Sequence, residues 1–190
     1  MTARTLDRRA ALSAGVQTLS AAGVLAVLGV ASPRGAYAQA APTQDVQLLN
    51  AAIALEHEGI AAYQIAAESG LLTPPVLKIG VTFKGHHKKH RDALAAAVRR
   101  LGGQPVAAKP LGDYASELGA SGLKDQAGVM KLALKLERGA ANAYLGLIPS
   151  LGETDLHVLA ARMAGDEAFH AAILANALGE AIPQNALIFG

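Results

Sequence analysis

The sequence contains the same arrangement of ionisable residues twice. Glu56 is followed seven residues later by Tyr63, and Glu137 is followed seven residues later by Tyr144. Seven residues fall about 20° short of two full helical turns, so the two members of each pair share one helix face. This spacing predicts two equivalent helices, one in each half of the chain, whose buried faces carry a carboxylate and a phenol.

A second segment in each half carries a histidine at a matching distance. His90 lies 34 residues after Glu56, and His170 lies 33 residues after Glu137. The first of these segments reads His87-Lys88-Lys89-His90, and the second reads Glu167-Ala168-Phe169-His170. The two halves are therefore predicted to be the same helical hairpin.

The hydrophobic pattern predicts four long amphipathic helices, at about residues 43–70, 73–103, 122–150 and 154–179. Thr73 and Pro74 have the residue types of an N-cap and a first-turn proline. Apolar residues share the face of the ionisable ones on every helix. They are Leu49, Ile53, Ile60, Leu94, Leu101, Leu134, Ile148, Leu156, Met163 and Leu174. Because 42 of the 190 residues are alanine and only 4% are aromatic, the expected fold class is all-α.

The connections between these segments are unequal in length. The first and second segments, and the third and fourth, are joined by only a few residues, which predicts two antiparallel hairpins. Residues 103–124 separate the second segment from the third and are rich in glycine and proline. A helix of about 27 residues is about 40 Å long, while about twenty extended residues reach about 65 Å, so this linker can return along the whole bundle. We expect an antiparallel four-helix bundle with one long crossover between the second and third of these helices.

This arrangement resembles the ferritin-like di-metal carboxylate proteins, of the ferritin and rubrerythrin type, over about residues 43–179. Those proteins place one glutamate on each of two helices and a Glu-x-x-His pair on each of the other two. The resemblance implies six metal ligands, with Glu167 bridging two ions, and two tyrosines that hydrogen-bond to ligands. The ligands are Glu56, His87, His90, Glu137, Glu167 and His170, and the tyrosines are Tyr63 and Tyr144.

One ligand departs from the family pattern, because His87 stands where the family has a bridging carboxylate. Three carboxylates against two divalent ions leave one positive charge uncompensated. The resemblance implies two metal ions, with iron expected first, and the added nitrogen ligand also favours manganese or zinc. A second register stays open, in which His86 and His90, four residues apart, chelate one ion.

Burying three carboxylates and three imidazoles without a cation would cost several kcal/mol per unpaired charge, so the pattern favours metal binding over a purely structural core. The expected function is a dinuclear centre that oxidises ferrous iron or reduces peroxide, with dioxygen or peroxide as its partner. A non-catalytic metal-binding or stress-protective scaffold and an iron-storage cage are the alternatives. The chain has no cysteine, which excludes thiolate zinc sites, iron–sulfur clusters and a rubredoxin-coupled peroxidase in one chain.

Residues 1–40 have the composition of a targeting segment. Arg8-Arg9 precedes a stretch from Ala10 to Ala31 without charge, and Ala38-Gln39-Ala40 offers small residues at the spacing that a signal peptidase reads. This resembles a twin-arginine export signal, which implies a mature domain at residues 41–190 in the periplasm or outside the cell. An uncleaved membrane anchor is the alternative reading.

The positive net charge of the chain, +2, comes from this leader, which has four arginines and one aspartate. Residues 41–190 contain 13 basic and 14 acidic side chains. The charge therefore gives no reason to expect nucleic acid as a partner. A membrane is not expected as a partner after cleavage, and a homodimer is compatible with the sequence.

Overall fold

The computed structural model describes residues 43–190, and the predicted leader lies outside them. The described chain forms four long helices, one short helix and two 3₁₀ turns, and no strand occurs in this range. The helices are α1 (Gln44–Glu68), α2 (Pro74–Arg100), α3 (Leu111–Glu117), α4 (Gln126–Leu147) and α5 (Thr154–Ala177). The all-α prediction is confirmed, and the four predicted segments correspond to α1, α2, α4 and α5.

Local chemistry explains where these helices begin and end. The side chains of Thr43 and Asp125 accept hydrogen bonds from backbone N–H groups in the first turns of α1 and α4, as N-caps do. Pro74 occupies the first position of α2, where its missing N–H costs nothing. Thr73 precedes it, but its hydroxyl makes no capping hydrogen bond and instead contacts Gln126 Oε1 at 2.9 Å. Thr73 thus occupies the predicted N-cap position but does not cap α2 with its side chain. Its hydroxyl instead reaches Gln126 at the start of α4.

The four long helices form two hairpins that pack against each other. Helix α1 packs along α2, and α4 packs along α5, while α1 also contacts α4 and α2 contacts α5. Two apolar clusters fill the interior of the bundle. The larger includes Leu49, Ile53, Leu94, Tyr144, Leu156 and Met163, and the smaller consists of Tyr63, Phe83, Leu134, Ala171 and Leu174.

The predicted apolar stripe is buried at seven of its ten positions. The other three, Ile60, Leu101 and Ile148, are half-buried. Leu101 and Ile148 directly follow the last residues of α2 and α4, where the packing thins. On every long helix the ionisable residues lie in sequence between members of the two clusters, so the apolar packing brackets them from both ends.

The crossover between α2 and α4 runs along α1. Asn50 on α1 donates to the carbonyl of Gln104 at 2.9 Å and accepts from the N–H of Val106 at 2.8 Å. Gly103 lets the chain approach α1 closely, because a Cβ there would lie 2.5 Å from a methyl of Val46. The short helix α3 buries Tyr114 beneath this segment. Helix α3 was not predicted, because seven residues are too few to show helical periodicity.

None of the helices in residues 43–190 is both long enough and apolar enough to cross a membrane.

Candidate metal centre

Six buried ionisable side chains converge from the four long helices. They lie in the middle of the bundle, between the two apolar clusters, and each is at most 6% exposed. They are Glu56 on α1, His87 and His90 on α2, Glu137 on α4, and Glu167 and His170 on α5. The structure thus brings together all six residues that the sequence pattern selected.

The six side chains divide into two overlapping groups of four. The first group is Glu56, His87, His90 and Glu167, and the second is His87, Glu137, Glu167 and His170. Within each group one ligand atom per residue lies within 4.8 Å of the others, which is the spacing of donors around one ion. His87 and Glu167 belong to both groups. Imidazole nitrogens and carboxylate oxygens suit iron, manganese and zinc, so the donor set fits two ions with two shared ligands.

Carboxylates and imidazoles face each other throughout the centre. His87 Nδ1 lies 2.8 Å from Glu56 Oε2, and His87 Nε2 lies 3.3 Å from Glu137 Oε1. Glu167 Oε1 lies 3.0 Å from His90 Nδ1, and Glu167 Oε2 lies 3.1 Å from His170 Nδ1. In the described chain no buried side-chain polar atom lacks a hydrogen-bond partner. The nitrogen and oxygen atoms that could bind metal are therefore oriented toward one another.

The two tyrosines hold glutamates of the opposite hairpin. The Tyr63 hydroxyl on α1 donates to Glu137 on α4, and the Tyr144 hydroxyl on α4 donates to Glu56 on α1. Both tyrosines and both glutamates are buried. Because each carboxylate is held at one oxygen by a phenol, the hydrogen bond fixes its orientation in the centre. The predicted hydrogen-bonding role of the tyrosines agrees with these contacts, and the crossing between hairpins was not foreseen.

The pairing shifts the protonation of the imidazoles. Burial alone would lower the pKa of His87, but its hydrogen bonds to Glu137 and Glu56 raise that pKa well above the usual value. Burial would likewise lower the pKa of His90. Hydrogen bonds to Glu167 and Glu56 overcome this effect and raise the pKa to about 10. The same balance, with Glu137 and Glu167 as acceptors, raises the pKa of His170. The carboxylates therefore favour the protonated form of all three rings.

The surroundings lower the pKa of two of the carboxylates and raise the pKa of the third. Burial works against ionisation of Glu56, yet hydrogen bonds from His87 and His90 lower its pKa. Burial also opposes ionisation of Glu137, but hydrogen bonds with Glu167, His170 and His87 lower its pKa. Burial and the hydrogen bond with Glu137 raise the pKa of Glu167.

Two further residues contact the outer ring nitrogens of His90 and His170. His90 Nε2 lies 3.0 Å from Asp166 Oδ2, and His170 Nε2 lies 2.9 Å from His86 Nδ1. His86 is half-buried and belongs to neither group of four. The structure therefore places His87, and not His86, among the converging side chains. Asp166 was missed by sequence reasoning, although its position next to Glu167 at the edge of the same face could have indicated it.

A cavity of about 510 Å³ reaches the centre from one side. Its lining is mainly apolar and includes Tyr63, His87 and Glu137. Gly59, on the wall next to His87, makes room for that ring, because a Cβ on Gly59 would lie 3.0 Å from two of its atoms. The cavity therefore borders the second group of four at His87 and Glu137.

Comparison with known proteins agrees with this geometry. The sequence profile of the ferritin-like domain matches residues 44–180. The chain belongs to the ferritin-like domain family. Its four-helix arrangement with buried glutamates and histidines is the feature that the sequence pattern led us to expect.

A solved structure shares the fold. It is that of a conserved hypothetical protein from Mycobacterium tuberculosis, which aligns with a TM-score of 0.61 at 22% sequence identity. The alignment covers 76% of this chain and 97% of the mycobacterial one. At this identity the similarity supports the fold alone. No curated protein matches the sequence.

Proposed function

We propose that this ferritin-like protein holds two metal ions in its bundle and oxidises ferrous iron or reduces peroxide there. The observation that carries the proposal is the pair of overlapping four-residue groups, since two ions with shared ligands are what such a set accommodates. Bound iron would supply the electrons for reduction of dioxygen or peroxide. Manganese and zinc fit the same nitrogen and oxygen donors.

The residues of the chain have separate tasks in this proposal. Glu56 and Glu137 bind one ion each, and the phenols of Tyr144 and Tyr63 keep these carboxylates turned inward. The apolar cavity that ends at His87 admits a small oxidant while limiting water. Apolar surroundings also strengthen the attraction between the carboxylates and a cation.

Metal titration tests the proposal. Protein freed of metal with a chelator is titrated separately with Fe²⁺, Mn²⁺ and Zn²⁺, and two ions per chain are expected with at least one of them. Bound metal should also raise the melting temperature, because ions bind the folded state. Glu137→Gln should reduce the stoichiometry, whereas Glu68→Gln, an exposed control at the end of α1, should not. Absence of metal binding by the wild-type protein would refute the proposal.

A non-catalytic metal-binding or stress-protective scaffold is the second candidate, because the dense pairing of carboxylates with imidazoles also stabilises the packing of the four helices. The two candidates differ in their response to an oxidant. Ferrous iron is added without oxygen, and oxidation is then followed by absorbance after dioxygen or peroxide is admitted. Oxidation much faster than in buffer supports the enzyme, and the buffer rate supports the scaffold.

We further propose that the protein is exported by the twin-arginine route, on the basis of residues 1–40. Replacing the pair by Arg8→Lys and Arg9→Lys should keep the protein in the cytoplasm, because that route recognises arginine at both positions. Cell fractionation with a tagged chain measures the outcome. Normal export of the double variant would contradict the twin-arginine assignment and leave a general secretion signal.

A further inference from the structure

The ring of His87 faces both groups of four with different nitrogens. Its Nδ1 lies 2.8 Å from Glu56 Oε2, which belongs to the first group alone, and 3.6 Å from Glu167 Oε1, which belongs to both groups. Its Nε2 lies 3.3 Å from Glu137 Oε1, which belongs to the second group alone. The two nitrogens stand on opposite edges of the imidazole, so one ring position can supply one donor to each group.

The position of the ring is enforced by its surroundings. Gly59 packs against the ring at a distance that leaves no room for a methyl group, and Tyr63 lies beside it with ring centroids 5.6 Å apart. The residue is only 4% exposed, and its two ring nitrogens are paired with carboxylates on both sides. The ring therefore stays between Glu56 and Glu137.

Glu167 divides its oxygens in the same way. Its Oε1 lies 3.0 Å from His90 Nδ1 in the first group, and its Oε2 lies 3.1 Å from His170 Nδ1 in the second. Under the repeat that relates the two hairpins, Glu167 and His87 are equivalent positions, each three residues before a histidine. Both positions thus lie between the same two groups, one with two oxygens and the other with two nitrogens.

We propose that His87 bridges the two metal ions through its two ring nitrogens, Nδ1 to the ion held by Glu56 and His90, and Nε2 to the ion held by Glu137 and His170. This proposal rests on the proposed dinuclear function. Each nitrogen gives one lone pair to one ion, and the protons that the ring carries without metal leave to solvent. No oxidation state changes in this step.

A bridge differs from a terminal ligand in what its removal does. If the ring bound one ion, then His87→Ala would weaken binding of that ion and spare the other. A bridging ring contributes to both, so His87→Ala should lower both binding constants, each by more than about tenfold, as loss of a metal-site group does. Lys88→Ala is the matched control, because Lys88 is the exposed neighbour of His87 on the same helix and belongs to neither group, and it should leave both constants unchanged.

Titration calorimetry with Zn²⁺ measures both binding steps, and circular dichroism checks that each variant remains helical. Two further variants keep the test valid if the alanine variant fails to fold. The amide oxygen of His87→Asn can take the place of Nδ1, and that of His87→Gln the place of Nε2. Each should therefore retain one strong site and weaken the other, and Glu56→Gln should remove the remaining strong site only in the asparagine variant.

A spectroscopic readout separates bridging from a structural role. With Cu²⁺ as the probe, a ring that links two ions couples their electron spins, and electron paramagnetic resonance detects that coupling. We expect the same coupling in the wild-type protein and in Lys88→Ala, and a different coupling in His87→Gln, where only Glu167 remains between the two groups. An unchanged coupling in His87→Gln would overturn the bridge. Two bound ions without coupling in the wild type, or a loss confined to one ion in His87→Ala, would overturn the bridge while leaving the dinuclear function intact. Failure of the wild type to bind metal would instead refute the function.

Discussion

Gly59→Ala should damage the centre even though alanine is the better helix former. In a helix interior, glycine is less favourable than alanine by about 0.5–1 kcal/mol, so the substitution alone would stabilise α1. However, the new methyl group would lie 3.0 Å from both Cε1 and Nδ1 of His87. The ring is held between Glu56 and Glu137 and cannot move away freely. Overpacking of this kind costs about 1–3 kcal/mol.

Gly85→Ala is the matched control, because Gly85 lies in α2 two residues before His87 and a Cβ there would meet no atom within 4 Å. This variant should gain the full helix contribution of about 0.5–1 kcal/mol. The two alanine variants should therefore differ in stability by about 1–3 kcal/mol. For a domain of this size that difference corresponds to roughly 2–12 °C in melting temperature.

Thermal melting of the metal-free variants and titration with Zn²⁺ measure both effects. Gly59→Ala should melt below Gly85→Ala and bind metal about tenfold or more weakly, because displacement of the His87 ring disturbs both groups. Equal melting temperatures together with unchanged metal affinity would refute the reasoning, since the close approach at Gly59 would then have no consequence.

Two other predictions concern the phenols and the imidazoles. Tyr144→Phe should destabilise the metal-free protein by about 1–3 kcal/mol and weaken metal binding, because Glu56 loses a buried hydrogen bond. Tyr114→Phe, which removes a hydroxyl from the crossover, should leave metal affinity unchanged in the same titration, and an equal loss in both variants would contradict the orienting role. Metal affinity should rise with pH between about 6 and 9, because the raised pKa values, about 10 for His90, mean that ions must displace protons. The stability of the metal-free protein should instead fall as the pH rises. A raised histidine pKa stabilises the fold below about pH 6.5, and that contribution is lost as the pH rises through the folded-state pKa. Metal affinity and stability that are both independent of pH would contradict the assignment.

The sequence predicted the helices and the converging residues for a definite physical reason. Helical periodicity acts over short distances, so the spacing of Glu56 and Tyr63 shows which face is buried without knowledge of the partner helix. The spacing says nothing about which hairpin supplies the partner of each tyrosine. The contacts of Asp166 and His86 depend on how far α5 is rotated about its axis relative to α2, and a one-dimensional pattern does not contain that angle.

The crossed hydrogen bonds of the tyrosines join two equivalent hairpins of one chain around a shared centre. Each hairpin carries half of the ligands together with the phenol that orients a glutamate of the other half. No residue of the crossover belongs to either group of four. The crossover therefore acts as a tether that keeps one half at a high effective concentration near the other.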